Sequence, residues 1–317
     1  MGIKNVIIFG ATGLQGRPQI VEALRQGYAV RAVSRRANVF SAPEFKGVVP
    51  VQADYNDAAS LDKALAGIDA ALIQVPSAGN LEKTLEQCKV LGAAMKKAGV
   101  QLIVFNSSMW APNEPCGAPI FDYVLKFEEA FRNSGVPTIV FRPTVFMQNL
   151  IEPFMKPMFV VDHVYRYCHK ADLASDWICH EDLARFMVEA LKHPELAGRK
   201  IGVGGPQRLT TLQVIEVLSE AIGHPIEYQY ITPTQLGQKV FDLTVQGQGT
   251  GGEVTGVSRD EFAAGIASFY DFVHDSPLRP FQADVKAALA LLPVQLTDMR
   301  IWAKQQDWSL KSARDQI

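Results

Sequence analysis

The run VIIFGATGLQGRPQIVEAL (residues 6–24) joins four apolar residues to three glycines at a spacing of three, and then to residues with helical spacing. A strand that ends in such a turn and feeds straight into a helix is the context in which a glycine pattern points to a phosphate. Gly10 permits the sharp exit from the strand, Gly13 lets a diphosphate approach backbone N–H groups, and Gly16 lets the helix pack close to the sheet. The positive end of that helix then favours the phosphates. Thr12, Leu14 and Gln15 fill the turn between the glycines and join them as candidate cofactor contacts. The pattern G-x-x-G-x-x-G has one more residue between its first two glycines than the common dinucleotide fingerprint. A tight βα turn without a ligand has the same appearance in sequence.

Cofactor type is read at the end of the second strand, where a carboxylate hydrogen-bonds the ribose 2′-OH of NAD and an arginine accommodates the 2′-phosphate of NADP. Here the strand ends RAVSRRAN (residues 31–38), which offers Ser34, Arg35 and Arg36 and no acid. This favours NADP(H), although loop arginines also serve as solvated charges. After the third strand, ADYND (residues 53–57) sets Asp54 and Tyr55 where an adenine is contacted, or where a helix is capped. QVPSAGN (residues 74–80) follows the fourth strand and sets Gln74, Val75 and Pro76 along the carboxyl edge of the sheet, where such folds bind ligands.

Outward from the turn, strand-like and helix-like segments alternate. Strands are expected at residues 6–9, 29–33, 48–52, 69–75, 101–108 and 137–143, with helices at 19–26, 60–66, 81–98 and 123–133. Near-continuous apolar strands separated by helices predict an α/β architecture, a Rossmann-type doubly wound parallel sheet covered on both faces. The NAD(P)-binding domain is expected over residues 1–153 and a smaller C-terminal substrate lobe over 154–317, with 180–225 packing back on the sheet. Pro153 and Pro157 interrupt any long helix, and residues 158–173 resemble no clean element. Further on, the pattern predicts helices at 180–194 and 209–223, strands at 200–205 and 226–231, and a short helix at 233–240. Residues 246–256, QGQGTGGEVTG, read as a flexible loop.

Composition narrows the function. With 48% hydrophobic residues in 317, the chain can bury a large core without staples, and a net charge of −2 with interspersed signs lacks the footprint of a nucleic-acid binder. Cys88, Cys116, Cys168 and Cys179 are scattered and make neither a zinc pattern nor a disulfide framework, which fits a reducing cytosol. His163 and His169 flank Cys168 without zinc spacing, and HEDLA (residues 180–184) lacks the second histidine of a zincin motif, so no metal is expected. The apolar start is about six residues long, too short for a secretory signal, and no run approaches the roughly 18 residues of a membrane span. A cytoplasmic monomer or homodimer acting on a small molecule is expected, with neither nucleic acid nor membrane as partner.

Taken together, GATGLQG (residues 10–16), the arginine after strand two, NSS (106–108), KFEEAFRNSGVPTIVFRP (126–143) and FMQNL (146–150) resemble the NmrA-like family, atypical members of the short-chain dehydrogenase/reductase superfamily. The resemblance extends through WICHEDLARFMVEAL (177–191) and fades toward the C-terminus. It implies NADP(H)-dependent reductases of quinones, aryl dyes or phenolic ethers, and also cofactor-sensing regulators. By resemblance Lys126 reaches the nicotinamide ribose, Pro143 to Phe146, including Val145, run beside the nicotinamide, and Phe146, Met147 and Asn149 enter the substrate region. Phe154, Tyr165, Tyr167 and Trp177 make the following segment rich in aromatic side chains, suited to a flat substrate and equally to a core. Asn106, Ser107 and Ser108 end strand five, where they hydrogen-bond cofactor or substrate or simply close the strand.

The superfamily's Tyr-x-x-x-Lys pair is not intact. Four residues before Lys126 stands Asp122, and the tyrosine is Tyr123, one residue and about 100° further around a helix. Lys126, Tyr123 and Ser107 are the catalytic candidates, with Asp122 a further proton source. The sequence therefore predicts an NADPH-dependent reductase of a small apolar acceptor, with an NADP(H)-sensing binding protein as the alternative. An epimerase or dehydratase holding NAD tightly is a third reading, disfavoured by the missing tyrosine and the missing acid after strand two.

Overall fold

A computed structural model of the chain describes residues 2–34, 39–75, 80–245 and 257–310. Its strands are β1 (Asn5–Phe9), β2 (Ala29–Val33), β3 (Val49–Val51), β4 (Ala70–Gln74), β5 (Leu102–Asn106), β6 (Thr138–Pro143), β7 (Val164–Tyr167), β8 (Ser175–Asp176), β9 (Lys200–Val203), β10 (Arg208–Leu209) and β11 (Glu227–Tyr230). Seven of them form one sheet in the order β3-β2-β1-β4-β5-β6-β9, and every pairing in it is parallel. The order reverses between β1 and β4, which creates the crevice at which sheets of this class bind ligands. β4, β5 and β6 are buried along their whole length, as strands covered on both faces must be.

The helices are α1 (Gly16–Arg25), α2 (Ala58–Leu65), α3 (Leu81–Ala98), α4 (Pro119–Arg132), α5 (Lys156–Val160), α6 (His180–Glu189), α7 (Thr211–Ile222), α8 (Pro233–Val245), α9 (Arg259–Asp275), α10 (Val285–Leu291) and α11 (Met299–Lys304). On one face of the sheet α2, α3 and α4 bury Leu61, Leu91, Met95, Phe127 and Phe131 against Ile7, Ile73, Ile103 and Phe105. On the other, α1 packs beside α6, and Phe186 of α6 meets Phe141 of β6. A buried, bidentate pair between Arg142 of β6 and Glu128 of α4, at 2.7 Å on both arms, ties that helix to the sheet.

The chain divides into two units. The first joins Met1–Pro143, His180–Val203 and Asp284–Gln295, and so contains the whole seven-stranded sheet. The second joins Thr144–Cys179, Gly204–Ala283 and Leu296–Ile317. In it β7 pairs in parallel with β11, and β8 pairs antiparallel with β10.

The structure differs from the sequence expectation in four places. Residues 158–173, which suggested no clean element, contain the end of α5 and all of β7, whose alternation was masked because Val164 and Tyr165 are both buried. The helix expected at 233–240 runs on to Val245. The 17-residue α9 was not anticipated, although Ser258 and Glu261 form a reciprocal capping box at its start. Asp57, rather than Asp54, caps α2. The glycine-rich loop at 246–256 lies outside the described residues.

Candidate functional site

The glycine turn sits at the carboxyl end of β1, and each glycine meets a different environment. Gly10 has φ +72°, a conformation that L side chains rarely adopt, and a Cβ there would stand 2.7 Å from the Gln74 side chain. At Gly16 a Cβ would stand 2.3 Å from the Gly10 carbonyl oxygen and 2.6 Å from Gln74 Nε2, so only hydrogen fits. Gly13 differs, because a Cβ there would meet only the Gly10 oxygen, at 3.3 Å. Within the turn Gly13 N–H donates to the Gly10 carbonyl at 3.0 Å, and the N–H groups of Gly16 and Arg17 both donate to the Gly13 carbonyl. The N–H groups of Thr12, Leu14 and Gln15 find no acceptor among the described residues. They stand at a helix start, in a turn where Thr12, Gly13 and Leu14 are exposed.

Two side-chain amides brace this turn from beneath. Gln74 Nε2, at the end of β4, donates to the Gly10 carbonyl at 2.8 Å, while its Oε1 accepts from Nε2 of the fully buried Gln19 at 2.5 Å. Asn106 Nδ2, at the end of β5, donates to Gln15 Oε1 at 2.6 Å, and its Oδ1 accepts from Ser108 N–H at 2.8 Å. The carboxyl ends of β4 and β5 thus hold the turn after β1 through side-chain hydrogen bonds. Gln19 was missed in the sequence; its signal is a polar residue on the buried stripe of α1, beside Ile20 and Ala23.

Of the residues read as contacts for the adenosine end, Ser34 is buried at the end of β2, and Arg35, Arg36 and Pro76 lie outside the described residues. Asp54 Oδ1 accepts from both the backbone N–H and the Nδ2 of Asn56, closing a local turn. The Tyr55 ring lies 6.1 Å from that of Phe9. Val75 is buried at the end of β4.

Of the catalytic candidates, Tyr123, Lys126 and Asp122 lie on α4, whereas Ser107 follows β5. Pro119 opens this helix, so Asp122 lies in its first turn and Tyr123 and Lys126 follow on successive turns. The Tyr123 hydroxyl donates to Glu82 Oε1 of α3 at 2.5 Å, and this carboxylate holds the phenol above its ordinary pKa. Lys126 Nζ stands 4.4 Å from the centroid of the Tyr123 ring, a cation–π contact on an exposed surface. Asp122 accepts from the N–H groups of Cys116 and Gly117, at 2.8 and 3.2 Å, and so secures the loop before the helix. The Ser107 hydroxyl lies 2.6 Å from the Met109 carbonyl and 2.9 Å from that of Phe141, so its one proton is committed to the backbone. Lys126, Glu129, Arg132 and Lys200 line a groove of about 970 Å³ along α4, and none of the three turn glycines lines it.

Pro143 closes β6 in the first unit, whereas Val145, Phe146, Asn149 and Phe154 belong to the second. There Val145 and Phe146 run beside Ile178, Asn149 is exposed and Phe154 is half-buried. Tyr165, Tyr167 and Trp177 surround the buried His169, whose Nδ1 lies 3.0 Å from the Tyr165 hydroxyl. Among the described residues no group of three or more His, Cys, Asp or Glu is placed to hold a metal ion, and no helix is long and apolar enough to cross a membrane.

A parallel sheet whose strand order reverses at a glycine turn defines a Rossmann-type protein. Residues 3–250 match the model of the NmrA-like family, and the chain belongs to that family. It is 30% identical over 230 residues to a (4-alkanoyl-5-oxo-2,5-dihydrofuran-3-yl)methyl phosphate reductase of Streptomyces griseus, covering 71% of this chain and 76% of the relative. It is 25% identical over 289 residues to an NAD(P)H azoreductase of Xenophilus azovorans, covering 90% of this chain and 98% of that protein. Among solved structures, the triphenylmethane reductase of Citrobacter sp., complexed with NADP(H), shares the fold with a TM-score of 0.76 at 20% identity, over 95% of this chain and 99% of that one.

Proposed function

We propose that the protein is an NADPH-dependent reductase that delivers hydride to a small apolar acceptor of the aromatic, quinone or carbonyl type. The glycine turn carries this reading: protein atoms crowd Gly10 and Gly16, whereas Gly13 is open and stands among N–H groups that have no acceptor among the described residues. A diphosphate suits such a donor set. The two relatives named as reductases, at 30% and 25% identity, support the same reading. A bound nicotinamide would supply the hydride.

The chain's own residues bind and orient that group. Thr12, Leu14 and Gln15 offer backbone N–H groups to the diphosphate beside the open Gly13, and Gln74 and Asn106 act through the turn by holding it in shape. Ser34, Arg35 and Arg36 are assigned to the 2′-phosphate side, and Asp54 and Tyr55 to the adenine. Lys126 supplies positive charge where an oxyanion develops on the acceptor. Phe146 and Asn149 keep the substrate role that the family resemblance implies, Phe154 keeps the one its aromatic-rich segment suggests, and a cytoplasmic location is part of the same reading.

One observation favours a second reading, a cofactor sensor with little turnover. Tyr123 is bonded to Glu82, while Ser107 and Asp122 are bonded to the backbone, so each of the expected proton sources already has a partner. The two readings separate on incubation of the protein with NADPH and a series of quinones and aryl dyes. Multiple turnovers of NADPH on any acceptor support the reductase; tight binding with no turnover across the series supports the sensor.

A further inference from the structure

We propose that Arg17 reads the 2′-phosphate of NADP(H), as a specificity-determining side chain additional to those that follow β2. The inference rests on the dinucleotide reading above and concerns a residue to which that reading gives no part.

Arg17 directly follows Gly16 in the first turn of α1, and its guanidinium lies over the ring of Phe45, 5.5 Å from the centroid. Phe45 belongs to a one-turn 3₁₀ helix, Pro43–Phe45, in the connection from β2 to β3, and that turn packs on α1. Arg17 therefore bridges the glycine turn and the connection that leaves β2. In a Rossmann-type fold this is the side on which the 2′ position of the adenosine ribose is read.

The state of the side chain matters as much as its place. Arg17 is exposed, and among the described residues its recorded side-chain contact is the one with the Phe45 ring, with no carboxylate or carbonyl partner. Its neighbours in the same groove, of about 820 Å³, are already committed: Arg25 is paired with Glu22 at 2.6 Å, and Arg185 is paired with Asp182. Glu44, Glu181 and Glu189 also line the groove, and among the described residues none of them makes an ion pair with Arg17; Glu189 is paired with Lys192. Stacking on the buried Phe45 ring limits the rotamers of a long side chain and leaves its N–H fork free, the condition in which a guanidinium binds phosphate well.

The test is calorimetric titration of the cofactor-free protein with NADPH and with NADH, in the wild type, Arg17→Gln and Arg25→Gln. Loss of a charge-assisted phosphate contact should weaken NADPH about tenfold or more in Arg17→Gln and leave NADH unchanged. Arg25→Gln, which removes a cation of the same groove already held by Glu22, should leave both affinities unchanged. A preserved NADPH/NADH ratio in Arg17→Gln, an equal loss for both nucleotides, or the same loss in Arg25→Gln would overturn the assignment to Arg17 while the dinucleotide reading stands. A wild-type protein that binds neither nucleotide, or prefers NADH, overturns the NADP(H) reading itself, and this assignment with it. Phe45→Leu provides a second arm: with the platform removed and the charge retained, NADPH should weaken to an intermediate degree, and unchanged binding would contradict the stacking argument.

Discussion

The Gln74 side chain, at the end of β4, donates to the Gly10 carbonyl across 2.8 Å and accepts from Gln19 at 2.5 Å, so one amide joins the glycine turn to the buried stripe of α1. Gln74→Leu leaves a carbonyl and an amide without partners. The expected cost is about 1–3 kcal/mol in urea unfolding, with weakened NADPH binding as the turn loosens. Unchanged stability would show that the amide pair contributes nothing net.

The three glycines should respond differently to alanine. Gly16→Ala drives a Cβ to 2.3 Å from the Gly10 oxygen, and overpacking of that kind costs about 1–3 kcal/mol or more. Gly13→Ala meets only one atom, at 3.3 Å, and should keep its unfolding midpoint close to that of the wild type. Because the added methyl occupies the space offered to the diphosphate, NADPH affinity should still fall tenfold or more, on the order of 1.4 kcal/mol. A Gly13→Ala protein that binds NADPH normally would remove the turn from cofactor binding.

Much of this arrangement is legible in the sequence. The strand, turn and helix at residues 6–24 follow from apolar periodicity and glycine spacing, and α3 runs over the expected residues because Asn80 caps it and Gly99 ends it. Long-range hydrogen bonds were not legible. Gln74 and Gln19 are 55 residues apart, and neither carries a local signal that it will meet the other. Tyr123 illustrates the same limit, since helical spacing gives its angle to Lys126 but not its bond to Glu82, 41 residues away. The second unit was read least well, because β7 draws its pairing from β11, more than sixty positions later in the chain.

Lys126 is tested by turnover and binding together. Lys126→Ala should slow NADPH oxidation by about tenfold or more while weakening NADPH itself only modestly, the pattern expected when charge acts on the reacting centre. Turnover equal to that of the wild type would remove Lys126 from the mechanism. Because the phenol of Tyr123 is held protonated by Glu82, Glu82→Gln should lower the pH at which that phenol ionises, readable by ultraviolet absorbance titration against Tyr123→Phe.

Acid should destabilise the fold well above the carboxylate range. Burial pushes the imidazoles of His169 and His180 down to about 3, far below their ordinary 6.5, so the unfolded chain binds protons there that the folded one refuses. Stability then falls as pH drops from about 6.5, by roughly 2 kcal/mol per imidazole at pH 5. Glu152 acts in the opposite sense: burial raises it to about 7, so the folded chain holds a proton that the unfolded one releases, and stability is gained as pH falls from 7 toward 4.5. Urea midpoints at pH 7 and pH 5 should show a net loss in the wild type, a smaller one in His169→Gln and a larger one in Glu152→Gln. A flat wild-type profile would contradict the buried, neutral assignment of both imidazoles.

The central claim is that the turn at Gly10, Gly13 and Gly16 holds a nicotinamide dinucleotide, and calorimetric titration of the cofactor-free protein with NADPH and NADH tests it most directly. Saturable binding of one equivalent, tighter for NADPH and lost in the folded Gly13→Ala protein, is the predicted result. Absence of binding to either nucleotide, or binding that Gly13→Ala leaves intact, would contradict it.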